Sequence, residues 1–438
     1  MPAKKLIVIV GGGFGGSTVM RTLDKNLPAD VELVLISEES YTTFNPMLPE
    51  AVGASIFPEH VVAPLRALFK PGPQRQFIMA KVTDIDPHTS TLSCSSLGGV
   101  RKLRYDHLIL AFGNRARLDL IPGMEQHAMP LKTVGDALEI RNAVLRRLAR
   151  IELETDTKLR QQLGHFVVIG GGFSGVEVAG ELVDCLHSVR QYYPMVAKGD
   201  LKVTVLHDTQ QLLPELNMGL GRAALASLQK RKVSVQLGAR AAEVTADGVK
   251  LTSGEFLEAA TVISTIGTRP NALAEHLGFA TERGRIPVLP DMRVKEHANI
   301  WALGDCALVP NAHDGKFAPP TAQFAVRQAK QLAANLMAVL MQKDTRAFNH
   351  KSAGAMASIG HMKGVADVFG FSVSGLPAWL LWRAYYLSQM PTFGRKVRIY
   401  VEWTWGMFFP TDITHLRFLG SRDVANAETA LGSEQKLP

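Results

Sequence analysis

Leu6-Ile7-Val8-Ile9-Val10 runs into Gly11-Gly12-Gly13-Phe14-Gly15-Gly16, and 159 positions on Phe166-Val167-Val168-Ile169 runs into Gly170-Gly171-Gly172-Phe173-Ser174-Gly175. Each copy is a short β-branched strand, a Gly-x-Gly-x-x-Gly turn and the opening of a helix. The three glycines of such a turn have separate tasks: a tight bend, close approach of the backbone to a pyrophosphate, and close packing of helix on strand. The phosphates then lie against free N–H groups at the positive end of the helix dipole. One such turn is weak evidence, because glycine-rich turns often only join elements. Two turns, each after a strand, predict two dinucleotide sites.

A dinucleotide fold of this kind places an acid at the end of its second strand to bind ribose hydroxyls. Behind the first turn, Val31–Ile36 is an apolar strand followed by Ser37 and Glu38, so Glu38 is the candidate. Behind the second, Leu201–Leu206 is followed by His207, with Asp208 one position late. An imidazole rejects a ribose 2′-phosphate less firmly than a carboxylate does. His207 therefore leaves NADH and NADPH both open, with the balance toward NADH.

The 438 residues are 46% hydrophobic and 20% charged, with 38 Gly and 23 Pro, which excludes disordered, collagenous and coiled-coil chains. Lys and Arg outnumber Asp and Glu by 48 to 40, which suits an anionic partner. The basic residues form no dense run and no nucleic-acid motif, so nucleic acid is not the expected partner. Cys94, Cys185 and Cys306 make no framework of disulfides and no CxxC pair, so no metal site is expected and a reducing compartment fits. The uncharged stretch Val368–Trp382 has 15 residues, interrupted by Gly370, Gly375 and Pro377; a spanning helix needs about 20. Lys4-Lys5 before Leu6–Val10 superficially suits a signal peptide, but the glycine turn that follows makes the run a first strand.

Two dinucleotide units, the second inserted in the first, resemble the two-dinucleotide flavoprotein superfamily, in which the first unit holds FAD and the second NAD(P)H. Tyr105–Gly113 resembles the strand closing the first FAD segment, with Gly113 at the crossover. Thr265–Asn271, with Gly267, resembles the return from the NAD(P)H unit, and Ile300–Cys306 the closing FAD motif, whose Gly304 and Asp305 are implied to meet the flavin's ribityl chain. The likeness runs from about residue 4 to residue 340. Disulfide reductases of this superfamily need a cysteine pair where this chain has Tyr41–Glu50, and sulfide:quinone oxidoreductases need two cysteines facing the flavin. Only Cys306 lies in a flavin motif, so sulfur chemistry stays the rival reading, beside a redox-sensing flavoprotein with little turnover.

The remaining segments resemble type II NADH dehydrogenases, the single-chain, non-proton-pumping NADH:quinone oxidoreductases. Tyr41–Glu50 is similar to their Tyr-x-x-Phe-x-Pro-Leu-Leu-Pro segment, Asp136–Asn142 to a helical pair before the second unit, and Gly175–Leu182 to their form of the second turn. Pro319–Gln328 resembles their Ala-Gln-x-Ala-x-Gln quinone motif, keeping Ala322, Gln323 and Ala325 but with Arg327 at the second Gln. The resemblance implies flavin contact by Ala322 and Gln323, and quinone contact by Gln323 and Arg327. From the residues themselves, Pro319 and Pro320 suit a helix start, and Gln323 and Arg327, four apart, either face a ligand or share an exposed helix face. Glu177, two positions after Gly175, is either an acid in the first turn of its helix or a group between nicotinamide and flavin.

From Phe348 the composition changes. Trp379, Trp382, Trp403 and Trp405 fall within 27 residues, among Tyr385, Tyr386, Tyr400, Phe408 and Phe409. Residues 350–409 hold six Lys or Arg against two Asp or Glu. Trp379, Trp382, Tyr386 and Met390 share one helix face, either a core and subunit-interface stripe or a membrane-facing one. The expected whole is an α/β chain of two Rossmann-like domains, the second inserted in the first, plus a C-terminal α+β region that dimerises and docks on a membrane. The expected units are 1–125 with 285–345 for FAD, 126–284 for NAD(P)H, and 346–438, with a disordered tail from 421. The expected activity is NADH oxidation through FAD to a quinone, by a homodimer peripheral to the cytoplasmic side of the cell membrane.

Overall fold

The computed structural model describes residues 4–70 and 72–416; the tail expected from 421 lies outside the described residues. Seven helices frame the sites: α1 (Phe14–Asp24), α2 (Leu48–Val52), α3 (Val134–Leu153), α4 (Phe173–Val189), α5 (Ala322–Leu340), α6 (Leu376–Gln389) and α7 (Phe393–Trp405).

Lys5–Val10 is an interior strand of a seven-stranded sheet, and its apolar run is buried, as a strand covered on both faces requires. It pairs in parallel with Val31–Ser37 on one side and His107–Leu110 on the other. Arg75–Asp86 continues the sheet beyond Val31–Ser37 and then turns into an antiparallel meander with Thr91–Ser96 and Gly99–Arg104. A five-stranded parallel sheet repeats the plan around His165–Ile169, flanked by Lys202–His207 and Thr261–Ser264.

The second unit is an insertion in the first. After His107–Leu110 the chain leaves the large sheet, and it returns to pair Ile300–Ala302 with that same strand. The outgoing Asn114–Ala116 and the returning Thr268–Pro270 run side by side as an antiparallel pair. Leu118, Ile121 and Met124 pack with the second sheet's core, whereas Leu273, Ala274, Leu277 and Phe279 pack with the first.

The C-terminal region is a three-stranded antiparallel sheet, Gly354–Ser358, Gly364–Val368 and Phe371–Ser374, followed by α6 and α7. The glycine-marked turns at 354, 360 and 364 fall in this sheet. Trp379, Trp382 and Met390 are buried, as are Ile399 and Trp403 of α7, so the aromatic stripe is core. Trp382, Met390, Ile399 and Trp403 join one cluster with residues of α2, α3 and α4. The opposite faces expose Leu376, Leu380, Phe393, Val397, Val401 and Trp405. Among the described residues no helix is long and apolar enough to cross a membrane. Beyond α7 the chain returns to α3 and α4: Thr411 N–H donates to Ser188 Oγ (3.1 Å), and Asn142 exchanges two hydrogen bonds with the Leu416 backbone (2.8 and 3.2 Å).

Candidate functional site

The two glycine turns share the positions at which a side chain cannot be tolerated. Gly11 and Gly170 have φ of +107° and +116°, a region an L side chain rarely enters. A Cβ on Gly16 would lie 1.9 Å from the Gly11 carbonyl oxygen, and one on Gly175 1.8 Å from that of Gly170. Gly13 and Gly172 are different: a Cβ there would meet nothing within 4 Å, and both have ordinary negative φ. Their smallness serves no contact within the protein. Each is the N-cap of its helix, and neither helix start has a side-chain cap. The first N–H groups of α1 and α4 are thus left to an anionic ligand.

A cavity of about 750 Å³ opens at the first turn, lined by Gly11, Gly13, Phe14, Gly15, Glu38, Gly113, Gly304, Asp305 and Ala322, and on its far side by Phe173, Ser174 and Glu177 of α4. Gly16 is buried beneath it against Ile9. Glu38 is exposed at the strand end, 3.5 Å from Arg115. Burial raises the Asp305 carboxyl above its ordinary range, against the pull of Lys132 and Arg285. A second cavity of about 430 Å³ adjoins the first and is lined by Ser174, Thr265, Gly267 and Thr268 at the end of the second sheet. The residues at both turns fit dinucleotides, by the open cradles and the uncapped helices.

His207 stands elsewhere than a ribose contact requires. Its Nδ1 accepts from Gly171 N–H (3.1 Å), so Nε2 carries the proton and faces Thr209 Oγ (2.9 Å). One ring nitrogen holds the second turn and the other the loop at Thr209, and the side chain is buried. Asp208, with its side chain 63% exposed and Oδ1 3.6 Å from His207 Nδ1, is the acid beside it.

Glu177 is in the second turn of α4, not the first, because the helix begins at Phe173. Its Oε1 accepts from Ser358 N–H (3.1 Å) of the C-terminal sheet. Burial raises its carboxyl well above the usual range, and Glu50 and Glu181 add to the effect. Glu50 closes the Tyr41–Glu50 segment and Glu181 lies inside Gly175–Leu182, and neither stands out there as a site residue. Glu181 accepts from Ser55 Oγ (2.7 Å), and Glu50 from Trp403 Nε1 (3.0 Å). Burial pushes Glu50 to about 7 and Glu181 to about 8, with Arg383 opposing both. The Arg383 guanidinium lies 3.7 Å over the Trp379 ring and 4.6 Å from that of Trp403. No local pattern marks this cluster, since its members are brought together from α2, α4, α6 and α7.

The helix carrying the Ala-Gln segment starts two residues later than its prolines suggest. Thr321 is its N-cap, with Oγ accepting from Phe324 N–H at 3.5 Å, and Pro319 and Pro320 precede it. Ala322 and Ala325 border the large cavity, but Gln323 and Arg327 do not. The Gln323 Oε1 accepts from Ser352 Oγ (3.2 Å), and Arg327 is near enough to His350 to help burial lower that imidazole's pKa. Gln328, buried one position beyond Arg327, accepts from Gly304 N–H (2.7 Å) and so holds the flavin-motif turn.

The family model for pyridine nucleotide-disulphide oxidoreductases matches residues 5–329, and that for the NDH2 C-terminal domain matches residues 352–412. The chain is 28% identical to a type II NADH:quinone oxidoreductase of Mycobacterium tuberculosis, over 92% of this chain and 88% of that one. It is 27% identical to an internal alternative NAD(P)H-ubiquinone oxidoreductase of Solanum tuberosum mitochondria, over 94% and 88%. In fold it is similar to NDH2 of Plasmodium falciparum solved with NADH, at a TM-score of 0.87 and 20% identity over 94% of this chain and all of that one. The sulfide:quinone oxidoreductase of Aquifex aeolicus is similar at a TM-score of 0.68 and 19% identity, over 87% and 90%. Two glycine turns, the inserted second unit and the C-terminal sheet and helices thus share one source: the chain belongs to the pyridine nucleotide-disulphide oxidoreductase family, in its type II NADH dehydrogenase branch.

Proposed function

We propose that this protein is an FAD-dependent oxidoreductase that takes a hydride from NADH and passes two electrons to a membrane quinone without moving protons across the membrane. The observation that carries the reading is the pair of open glycine cradles on adjoining cavities. FAD held at the first turn and NADH at the second supply the redox chemistry. The protein's part is to hold two rings in contact and keep water out, which is what hydride transfer over about 3–3.5 Å needs.

Gly13 would admit the FAD pyrophosphate to α1, Glu38 would accept from its ribose hydroxyls, and Gly304 and Asp305 would hold its ribityl chain. Gly172 does the same for NADH at α4, and Asp208 takes the ribose role that His207 leaves, which favours NADH over NADPH. Glu177, buried and bordering the cavity, would lie between the two cofactors. Gln323 and Arg327, off the cavity wall and beside Ser352 and His350, form the quinone's approach on the side of Ala322. The domain division follows the paired crossings at 114–116 and 268–270.

The exposed apolar faces of α6 and α7, with Arg398 beside them, support peripheral attachment to an anionic bilayer on the cytoplasmic side. A homodimer formed by part of the same region is the companion reading. Sulfide chemistry is disfavoured by Cys306, whose buried Sγ sits against the Leu303 and Leu110 carbonyls with no second thiol.

The test is steady-state NADH and NADPH oxidation by the flavin-loaded protein with and without a short-chain ubiquinone. Quinone should accelerate NADH turnover well above the rate with oxygen alone. Flavin reduction by NADH without that acceleration would make the protein a sensor and sink the enzyme reading.

A further inference from the structure

Among the described residues, five line both cavities: Asn45, Ala116, Pro130, Lys132 and Ser174. Lys132 is the one charged side chain among them. Its place is fixed by its own backbone, independently of its side chain. The Lys132 N–H donates to Asp136 Oδ2 (2.8 Å) at the start of α3, and its carbonyl accepts from Asn45 Nδ2 (2.9 Å).

The ammonium leans to one side of the shared wall. Nζ donates to Asn114 Oδ1, and the carboxylate it feels most is Asp305. Asn114 and Asp305 line the large cavity and neither lines the small one. Among the described residues no carboxylate is within 4.0 Å of Nζ, so the cation is not neutralised by an ion pair. An ammonium has three donors, and one of them is used.

We infer that Lys132 is the electrostatic residue of the hydride-transfer step, holding a positive charge on the flavin side of the junction where the two dinucleotides meet. The inference rests on the reading of the two cavities given above. A hydride carries two electrons and one proton from the nicotinamide side to the flavin side, so the flavin side gains one negative charge and the nicotinamide side one positive. A fixed cation near the acceptor lowers the energy of that charge as it arrives, and in a partly dry site it acts at low dielectric with little reorganisation. Burial lowers the Lys132 pKa from its ordinary value, with Arg115 adding to the effect and Asp305 opposing it.

The test compares wild type, K132M and K132R as flavin-loaded proteins. Because the backbone ties survive substitution, K132M should keep its melting temperature and bind FAD stoichiometrically. Its bound flavin should then show a midpoint potential lower by about 30 mV, a tenfold change in a two-electron equilibrium. Anaerobic flavin reduction by NADH should slow about tenfold, and K132R should restore both readings. An unchanged potential in K132M, or an equal fall in K132M and K132R, would overturn the inference by making Lys132 a packing residue. Should K132M lose flavin, the same comparison of K132Q with K132R decides. The potential is read without NADH or quinone, so a wild type inert toward quinone would sink the proposed activity and leave this result standing.

Discussion

At the residue scale, Gly13 and Gly172 are the most diagnostic positions in the chain. Both have backbone angles open to any L residue and empty space where a side chain would go. Valine at either position therefore costs the fold little and collides only with a ligand. Gly13→Val should abolish stoichiometric FAD binding, read from the visible spectrum of the purified protein. Gly172→Val should keep its flavin and weaken NADH binding at least tenfold, read by anaerobic titration. Loss of flavin in the second variant would show that the two turns do not serve separate ligands. Gln323 is a different case, because its side chain is turned to Ser352, away from the large cavity. Gln323→Ala should slow reoxidation of the reduced flavin by ubiquinone severalfold and leave flavin reduction by NADH unchanged. Equal loss in both half-reactions would assign Gln323 to flavin positioning.

At the element scale, α2, α4 and the C-terminal region meet around three buried carboxyls, Glu50, Glu177 and Glu181, whose proton affinity burial raises. Glu181 is raised from 4.5 to about 8 by burial, so the folded state holds a proton that the unfolded state has released across that interval. Stability attributable to this group is therefore fully present below about pH 4.5 and falls as pH rises to about 8. Glu181→Gln, neutral at every pH and able to keep a partner for Ser55, should flatten the decline. Denaturant unfolding at pH 6 and pH 8.5 should show a gap between variant and wild type that widens at the higher pH, on the order of a few kcal/mol. A gap independent of pH would mean that Glu181 is ionised in the fold. The elements also show where local pattern stops informing. The glycine turns, the strand ends at Glu38 and the Ala-Gln helix are periodicities of adjacent residues, and they were legible. Glu50, Glu181, Arg383 and Lys132 lie in four unremarkable local contexts, and their roles arise only from who faces whom.

At the scale of the whole molecule, the aromatic-rich C-terminal region divides its labour. Trp379, Trp382 and Trp403 are core, at 1–5% exposure, whereas Val397, Val401, Trp405 and Phe408 are 45–74% exposed on the outside. Burying a few such side chains in a bilayer interface is worth about 1.5–3 kcal/mol each. The triple change Val397→Ser, Trp405→Ser, Phe408→Ser should therefore reduce binding to vesicles containing anionic lipid at least tenfold in a flotation assay. NADH oxidation with a water-soluble acceptor should not change. Undiminished flotation would move the docking surface elsewhere.

The sequence by itself determined the two dinucleotide units, the order in which they are threaded and the family. Those features depend on backbone conformation and on neighbours within one strand–turn–helix, so they are written in consecutive residues. Only the tertiary structure decided that His207 braces its own turn, that Gln323 stands off the cavity wall while Gln328 holds Gly304, and that the tryptophan stripe faces inward. It alone brought Lys132 to the wall between the two cavities and three carboxyls into one dry cluster. Burial and the fields of distant charges set those properties, and neither is a function of local sequence.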